Sequence, residues 1–166
     1  MIIAEELTHK ERENLTKQIM EQCSQTNCMT VKFTVPDNPF GKQRPRHNRY
    51  TNTTYTPGET KRHEQQIAFA YRQQCGNTRF ASGAYIEMKI TAYMKIPKSA
   101  SKATRAKMTD GSVRPTVKPD WDNIGKLAAD ALNGIAYDDD KCIVDAQVRK
   151  FYSEQPRTEI VLIGRN

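Results

Sequence analysis

The chain has 166 residues, 37% hydrophobic and 27% charged, which suits a soluble globular protein of one domain with a single moderate core. No apolar run approaches the roughly 20 residues of a membrane helix, and MIIAEELTHKEREN lacks the basic-then-apolar order of a secretory signal. The balance of Lys+Arg 26 against Asp+Glu 19 leaves a net charge of +7, which points to a polyanion partner, most often nucleic acid.

The elements follow in chain order. Residues 4–23 predict an amphipathic helix, with Thr8 and Glu11 as a capping box and Leu15, Ile19 and Cys23 on one face. Ser24–Asn27 break it. MTVKFTV, from Met29, predicts a strand through its alternation of Val31, Phe33 and Val35. Residues 36–58 are rich in Pro, Gly, Asn and Thr and predict a long loop of the functional kind. GETKRHEQQIAFAYRQQCG predicts a helix closed by Gly76, with Ile67, Ala70 and Tyr71 inside. Residues 84–96 predict a strand with Ile86, Met88, Ile90, Ala92 and Met94 on one face. A basic connection follows, with a helical turn around Ser101–Lys107. Pro119 bars any helix before it, and Ile124, Leu127, Ala128, Ala131 and Leu132 recur at helical spacing until Asn133–Gly134. CIVDAQVRKFY and RTEIVLIG predict two last strands, joined as a hairpin through Ser153–Pro156. The expected fold is α+β, a mixed layer structure in which a small mixed sheet of about four strands packs with two main helices. Tyr55, Phe69, Tyr71, Phe80 and Tyr85 have the spacing of core aromatics. The four cysteines, Cys23, Cys28, Cys75 and Cys142, form no CxxC pair and lie far from the histidines, which predicts reduced thiols rather than zinc.

Charge is distributed unevenly. From Phe40 to Lys107 there are fourteen Lys/Arg against three Glu, net +11; from Met108 to Asp145 there are four Lys/Arg against eight Asp, net −4. Within the acidic part, KPDWDNIGKLAADALNGIAYDDDKC holds six aspartates. Asp120 and Asp122 flank Trp121 at a helix start, where a carboxylate suits the free N–H groups and the positive helix end. Asp138, Asp139 and Asp140 follow Tyr137 just before a strand, where an Asp-rich turn is ordinary. Each group alone reads as structural. Brought together they repel one another unless a cation lies between them, and their hard oxygens select Mg²⁺ or Mn²⁺. Lys126 lies four residues after Asp122 on the same helix face, either as a surface pair with it or as an ammonium beside a metal cluster. The second arrangement is what phosphodiester hydrolysis needs: a metal polarises phosphate and activates water, and the lysine offsets transition-state charge. A calcium loop is a poor fit, because the twelfth position from Asp138 is Arg149 and the sixth is not Gly.

KPDWDNIGKLAADALNG followed by AYDDDKCIV closely resembles the signature of the RusA family of Holliday-junction resolvases, small dimeric endonucleases of DNA recombination and repair common in phages and prophages. PFGKQRPR and the YTP step into a helix fit the same pattern. The resemblance covers about residues 30–163. It implies residues 1–28 as an N-terminal extension, helical by its pattern, and residues 29–166 as the RusA-like domain. It implies Asp120, Asp122 and Asp140 as metal ligands, Asp139 as the reserve for Asp140, and Lys126 as the catalytic lysine. Asp130 and Asp138 are expected to be scaffolding and solvent-facing. The implied cofactor is Mg²⁺, with Mn²⁺ substituting, and the implied partners are four-way or otherwise branched DNA and a second copy of the chain in a homodimer. The implied location is the cytoplasm of a bacterial host. Lys42, Arg44, Arg46, Arg49, Arg114 and Lys118 are expected to hold backbone phosphates. The rival expectation is a protein that binds branched or single-stranded DNA without cutting it.

Overall fold

Alternating apolar residues build the centre of the fold. The computed structural model describes residues 28–165, so the helix expected over residues 4–23 lies outside the described residues. The elements run β1 (Cys28–Pro36), β2 (Arg46–Asn48), β3 (Thr53–Tyr55), α1 (Gly58–Cys75), β4 (Tyr85–Lys95), α2 (Lys102–Thr109), α3 (Trp121–Leu132), a 3₁₀ turn (Asp140–Cys142), β5 (Ile143–Ser153) and β6 (Arg157–Arg165). This is the expected α+β mixture. Four strands form one mixed sheet in the order β1-β6-β4-β5, and β2 pairs with β3 in a separate hairpin.

β1 and β4 each run antiparallel to β6, whereas β4 and β5 run parallel. The hairpin expected between the last two strands is therefore absent: β4 separates them. Polarity explains the order. β6 buries Ile160 and Leu162 and half-buries Val161 and Ile163, so it belongs at the centre. β5 carries DAQVRK, largely exposed, and tolerates an edge, where charge also discourages pairing with other chains. A parallel pair needs a long crossover, and residues 96–142 supply it with α2 and α3.

α1 and α3 pack on the same face of the sheet as Val31, Phe33, Ile86, Met88, Ile90, Ile160 and Leu162. Ile67, Ala70 and Tyr71 of α1 and Ile124, Leu127, Ala128, Ala131 and Leu132 of α3 complete this core. Tyr71 meets Phe33 edge-on at 5.2 Å and donates its hydroxyl to Thr78 O at 2.7 Å. Phe80 lies flat on β6, and a side chain at Gly164 would overlap its ring. Tyr71 and Phe80 are thus core aromatics as expected. Tyr55, Phe69 and Tyr85 are not: they are about half exposed or more, Tyr55 on the β2–β3 hairpin and Phe69 on the outer side of α1. Gly76 closes α1 at φ 63°, a conformation that favours glycine.

The loop expected over residues 36–58 contains the β2–β3 hairpin. Asn48 Oδ1 accepts from the N–H groups of Tyr50 and Thr51, and Asn52 sits at φ 51°, so asparagines bend the turn. α2 has Ser101 at its N-cap, where the hydroxyl accepts from Thr104 N, and it buries no residue. Beyond it the connection is laced to β5. Arg114 donates from Nε to Lys150 O at 2.6 Å and lies over the Phe151 ring at 3.6 Å. Lys150 Nζ donates to Val117 O at 2.5 Å. Phe151 stacks on Tyr93, which carries Arg157 on its ring. No helix among the described residues is long and apolar enough to cross a membrane.

Candidate active site

The sequence reaches α3 through Lys118–Pro119, a cis peptide bond. Asp120 occupies the N-cap position with extended backbone, yet its side chain makes no cap hydrogen bond. Asp122 lies in the first turn and Lys126 one turn later, both exposed on the side opposite Ile124, Leu127 and Ala128. Among the described residues no ion pair links Asp122 to Lys126 and no hydrogen bond engages the side chain of Asp120 or Asp122, although Asp120 O accepts from Ile124 N at 3.2 Å. The two ordinary uses of these side chains, a helix cap and a surface pair, are not made.

The three consecutive aspartates have three different surroundings. Tyr137, buried under α3, donates its hydroxyl to Ala129 O at 2.9 Å; burial pushes its pKa up, so it stays a neutral donor and ties the turn to the helix. Asp138 pairs with Arg79 at 2.5 Å, and that contact holds its carboxyl below the usual range. Asp139 caps the 3₁₀ turn, accepting from Lys141 N at 3.0 Å. Asp140 opens the turn, exposed, with β5 starting only at Ile143. A capped 3₁₀ turn thus precedes the strand, and hydrogen bonding distinguishes the two neighbours. Asp130, expected as scaffolding near Lys126, pairs instead with Lys42.

Two grooves meet at the start of α3. One, a hollow of about 260 Å³, is lined by Trp121, Asp122, Gly125, Lys126 and Ala129 of α3, by Asp140, and by Met88, Ile90, Ile143, Ala146, Gln147 and Val148 of the sheet. The other, of about 810 Å³, is lined by residues 38–46 together with Lys118, Pro119, Asp120 and Asn123. Asp122, Lys126 and Asp140 thus share one groove, while Asp120 faces the neighbouring one. Asp139 lines neither; it belongs to a hollow with Ser82, Tyr85, Lys141 and Val144. Among the described residues, no three His, Cys, Asp or Glu side chains stand close enough to form a complete metal cage. The donor chemistry fits a hydrated hard cation all the same. Mg²⁺ keeps several waters and commonly takes one or two protein carboxylates with substrate phosphate, and Asp122 and Asp140 are uncommitted oxygen donors on one groove.

The basic loop is docked against the acidic helix. Lys42 N donates to Asn123 O at 2.9 Å. A Cβ at Gly41 would lie 2.7 Å from Pro119 Cβ and 3.1 Å from Asn123 Cβ, so only glycine allows this approach. Phe40 stacks on His63 at 4.1 Å. Burial disfavours the charge on Lys42, but Asp130 and Glu64 outweigh it and hold its pKa above the ordinary lysine value. Lys42 is thereby committed to an internal triad. Arg44, Arg46 and Lys118 line the larger groove beside Asp120. Arg49 stands on the exposed turn between β2 and β3, and Arg114 is occupied by Phe151. Gly41, Asn123 and Trp121 were not singled out as site residues from the sequence; a glycine between Phe40 and Lys42, and the asparagine completing DWDN, are the signals that could have found the first two.

Comparison with known proteins shows the family. Uncharacterized protein YqaN of Bacillus subtilis (strain 168) is 37% identical over 136 residues, which span 80% of this chain and 94% of that protein. Residues 36–163 match the family described as Endodeoxyribonuclease RusA, a stretch that includes both grooves, the acidic turn and the sheet between them. The chain belongs to the RusA endodeoxyribonuclease family, and its class of activity is that of a nuclease.

Proposed function

We propose that the protein is a structure-selective endonuclease that resolves four-way DNA by paired nicks, works with Mg²⁺ (or Mn²⁺ in its place) and acts as a homodimer. One observation carries the reading: Asp122, Asp140 and Lys126 line a single groove, and Asp120, Arg44, Arg46 and Lys118 line the one beside it. Arg44, Arg46 and Lys118 hold backbone phosphates without reading sequence, as recognition of a branch requires. Asp122 and Asp140 hold the cation, with Asp120 joining as the strand fills its groove. The bound cation supplies Lewis acidity toward phosphate and a more acidic water. Lys126 places its ammonium where negative charge grows on the departing oxygen. The two-fold symmetry of a four-way junction matches two sites in a dimer.

The test is purified protein, Mg²⁺ and end-labelled four-way, three-way and linear duplex DNA, with cut sites mapped. Symmetric nicks in the four-way substrate are expected, and linear duplex should survive. The absence of a complete carboxylate cage among the described residues also suits a protein that binds branched DNA without cutting it. That reading predicts tight, salt-sensitive binding and no nicked product when Mg²⁺ is added.

A further inference from the structure

The hollow shared by Asp122, Lys126 and Asp140 is more apolar than phosphodiester cleavage needs. Met88, Ile90, Ile143 and Val148 form its sheet side, and Trp121 and Ala129 form part of its helix side. Trp121 is the chain's only tryptophan and is 64% exposed. It contributes little to the core, and no described ring pairs with it. Gly125 and Ala129, one and two turns after it, leave the space beside the indole open.

We propose that this hollow is a nucleobase subsite: it takes an unpaired base next to the cleaved phosphodiester, stacked on Trp121. The proposal rests on the nuclease reading above. A nucleotide fits the hollow in both of its parts. Its base is a flat, largely apolar ring for the space under Trp121, and its phosphate stays attached at the rim, where Lys126 supplies the cation. An apolar protein side chain would fill the floor and leave Lys126 and the two carboxylates without a role. At about 260 Å³ the space falls below the roughly 300–1,000 Å³ of sites for drug-sized ligands, so it suits one heterocycle. A base inside a duplex cannot enter without unstacking, and unstacking is easiest at a branch point. The subsite would therefore turn branch geometry into preferential binding, a role the phosphate-holding arginines cannot fill.

The test places one abasic nucleotide at each position flanking the mapped cut in a four-way junction, and measures binding in EDTA to wild-type protein, Trp121→Ala and Trp121→Phe. Trp121→Ala should weaken junction binding roughly 5- to 150-fold, the range base–aromatic stacking covers, and Trp121→Phe should retain most of the affinity. One abasic position should cost wild-type protein the same factor and cost Trp121→Ala nothing more. As the sole tryptophan, the indole also reports directly: the intact junction should shield it from iodide, and the junction abasic at that position should not. Penalties that multiply independently at every position, or iodide access unchanged by junction binding, overturn the subsite. If that happens while wild-type protein still cuts the junction, the subsite alone falls. If wild-type protein cuts no branched DNA in Mg²⁺ or Mn²⁺, the nuclease reading falls and the subsite with it.

Discussion

Asp139 and Asp140 are adjacent and chemically identical, and hydrogen bonding is what separates them. Asp139 spends its carboxylate on Lys141 N, whereas Asp140 turns toward the groove of Asp122 and Lys126. Asp140→Asn should lower cleavage by roughly a hundredfold or more at unchanged junction affinity, and Lys126→Ala should slow single-turnover cleavage by about 10²–10³-fold. Asp139→Ala should instead cost stability, about 0.5–2 kcal/mol as for other lost caps, with cleavage near wild type; equal losses of cleavage in both aspartate variants would reverse the assignment. Lys42 offers a test by pH. Its folded pKa is raised, so its pairing with Asp130 and Glu64 stabilises the fold fully below the ordinary lysine value and is lost as pH rises through the folded one. Urea unfolding of wild type and Lys42→Met should differ by a constant amount up to about pH 10 and converge above it.

At the scale of elements, one contact joins the basic loop to α3. Gly41→Ala pushes a methyl into Pro119 and Asn123. Such overpacking costs about 1–3 kcal/mol, so thermal unfolding should fall by several degrees. Cleavage should fall further than stability predicts, because the loop that lines the Asp120 groove is displaced; unaltered cleavage kinetics in folded Gly41→Ala would show that loop docking is unnecessary. Elements with strong local periodicity were legible in the sequence. α3 shows its apolar stripe and its Pro119 and Asn133 limits, and β1 and β4 show strict alternation. The β2–β3 hairpin was not, because three-residue strands leave no periodicity to read and its turn rests on Asn48 and Asn52. Nor was the insertion of β6 between β1 and β4, since strand neighbours depend on which faces the whole sheet must bury. The DWDN and DDD segments stood out in the sequence as clustered carboxylates. What separates Asp139 from Asp140 is a local cap on Lys141 N, set by a 3₁₀ turn too short to leave a pattern, and what engages Lys42 and Arg114 are partners distant in sequence: Glu64, Asp130 and Phe151.

At the scale of the molecule, the proposed function divides the charge into a gathering surface and a cutting groove. Each phosphate contact released by a substitution should change the salt dependence of binding. For duplex arms the logarithm of affinity falls with the logarithm of salt by about 0.9 per contact. Arg44→Ala and Arg46→Ala should each reduce that slope by about 1 and leave the single-turnover rate at saturating DNA unchanged. Lys42→Met should leave the slope almost intact, since the Lys42 charge is already engaged by Asp130 and Glu64. A slope lowered as much by Lys42→Met as by Arg44→Ala would mean that the triad opens on DNA.

The lacing of residues 114–117 onto Lys150 and Phe151 has a mechanical consequence. Asp140 stands just before one end of β5, and the segment leading to Asp120 is stitched near the other, seven to eight residues along from Ile143. At about 3.3 Å per residue that is a rigid span of roughly 25 Å. The strand therefore serves as a brace: it fixes the segment entering α3 from the far side, while α3 and the Tyr137 turn join Asp120 to Asp140 along the chain. A change at Phe151, far from any carboxylate, would loosen one clamp of that brace and spread the distances sampled in the groove without altering one charge.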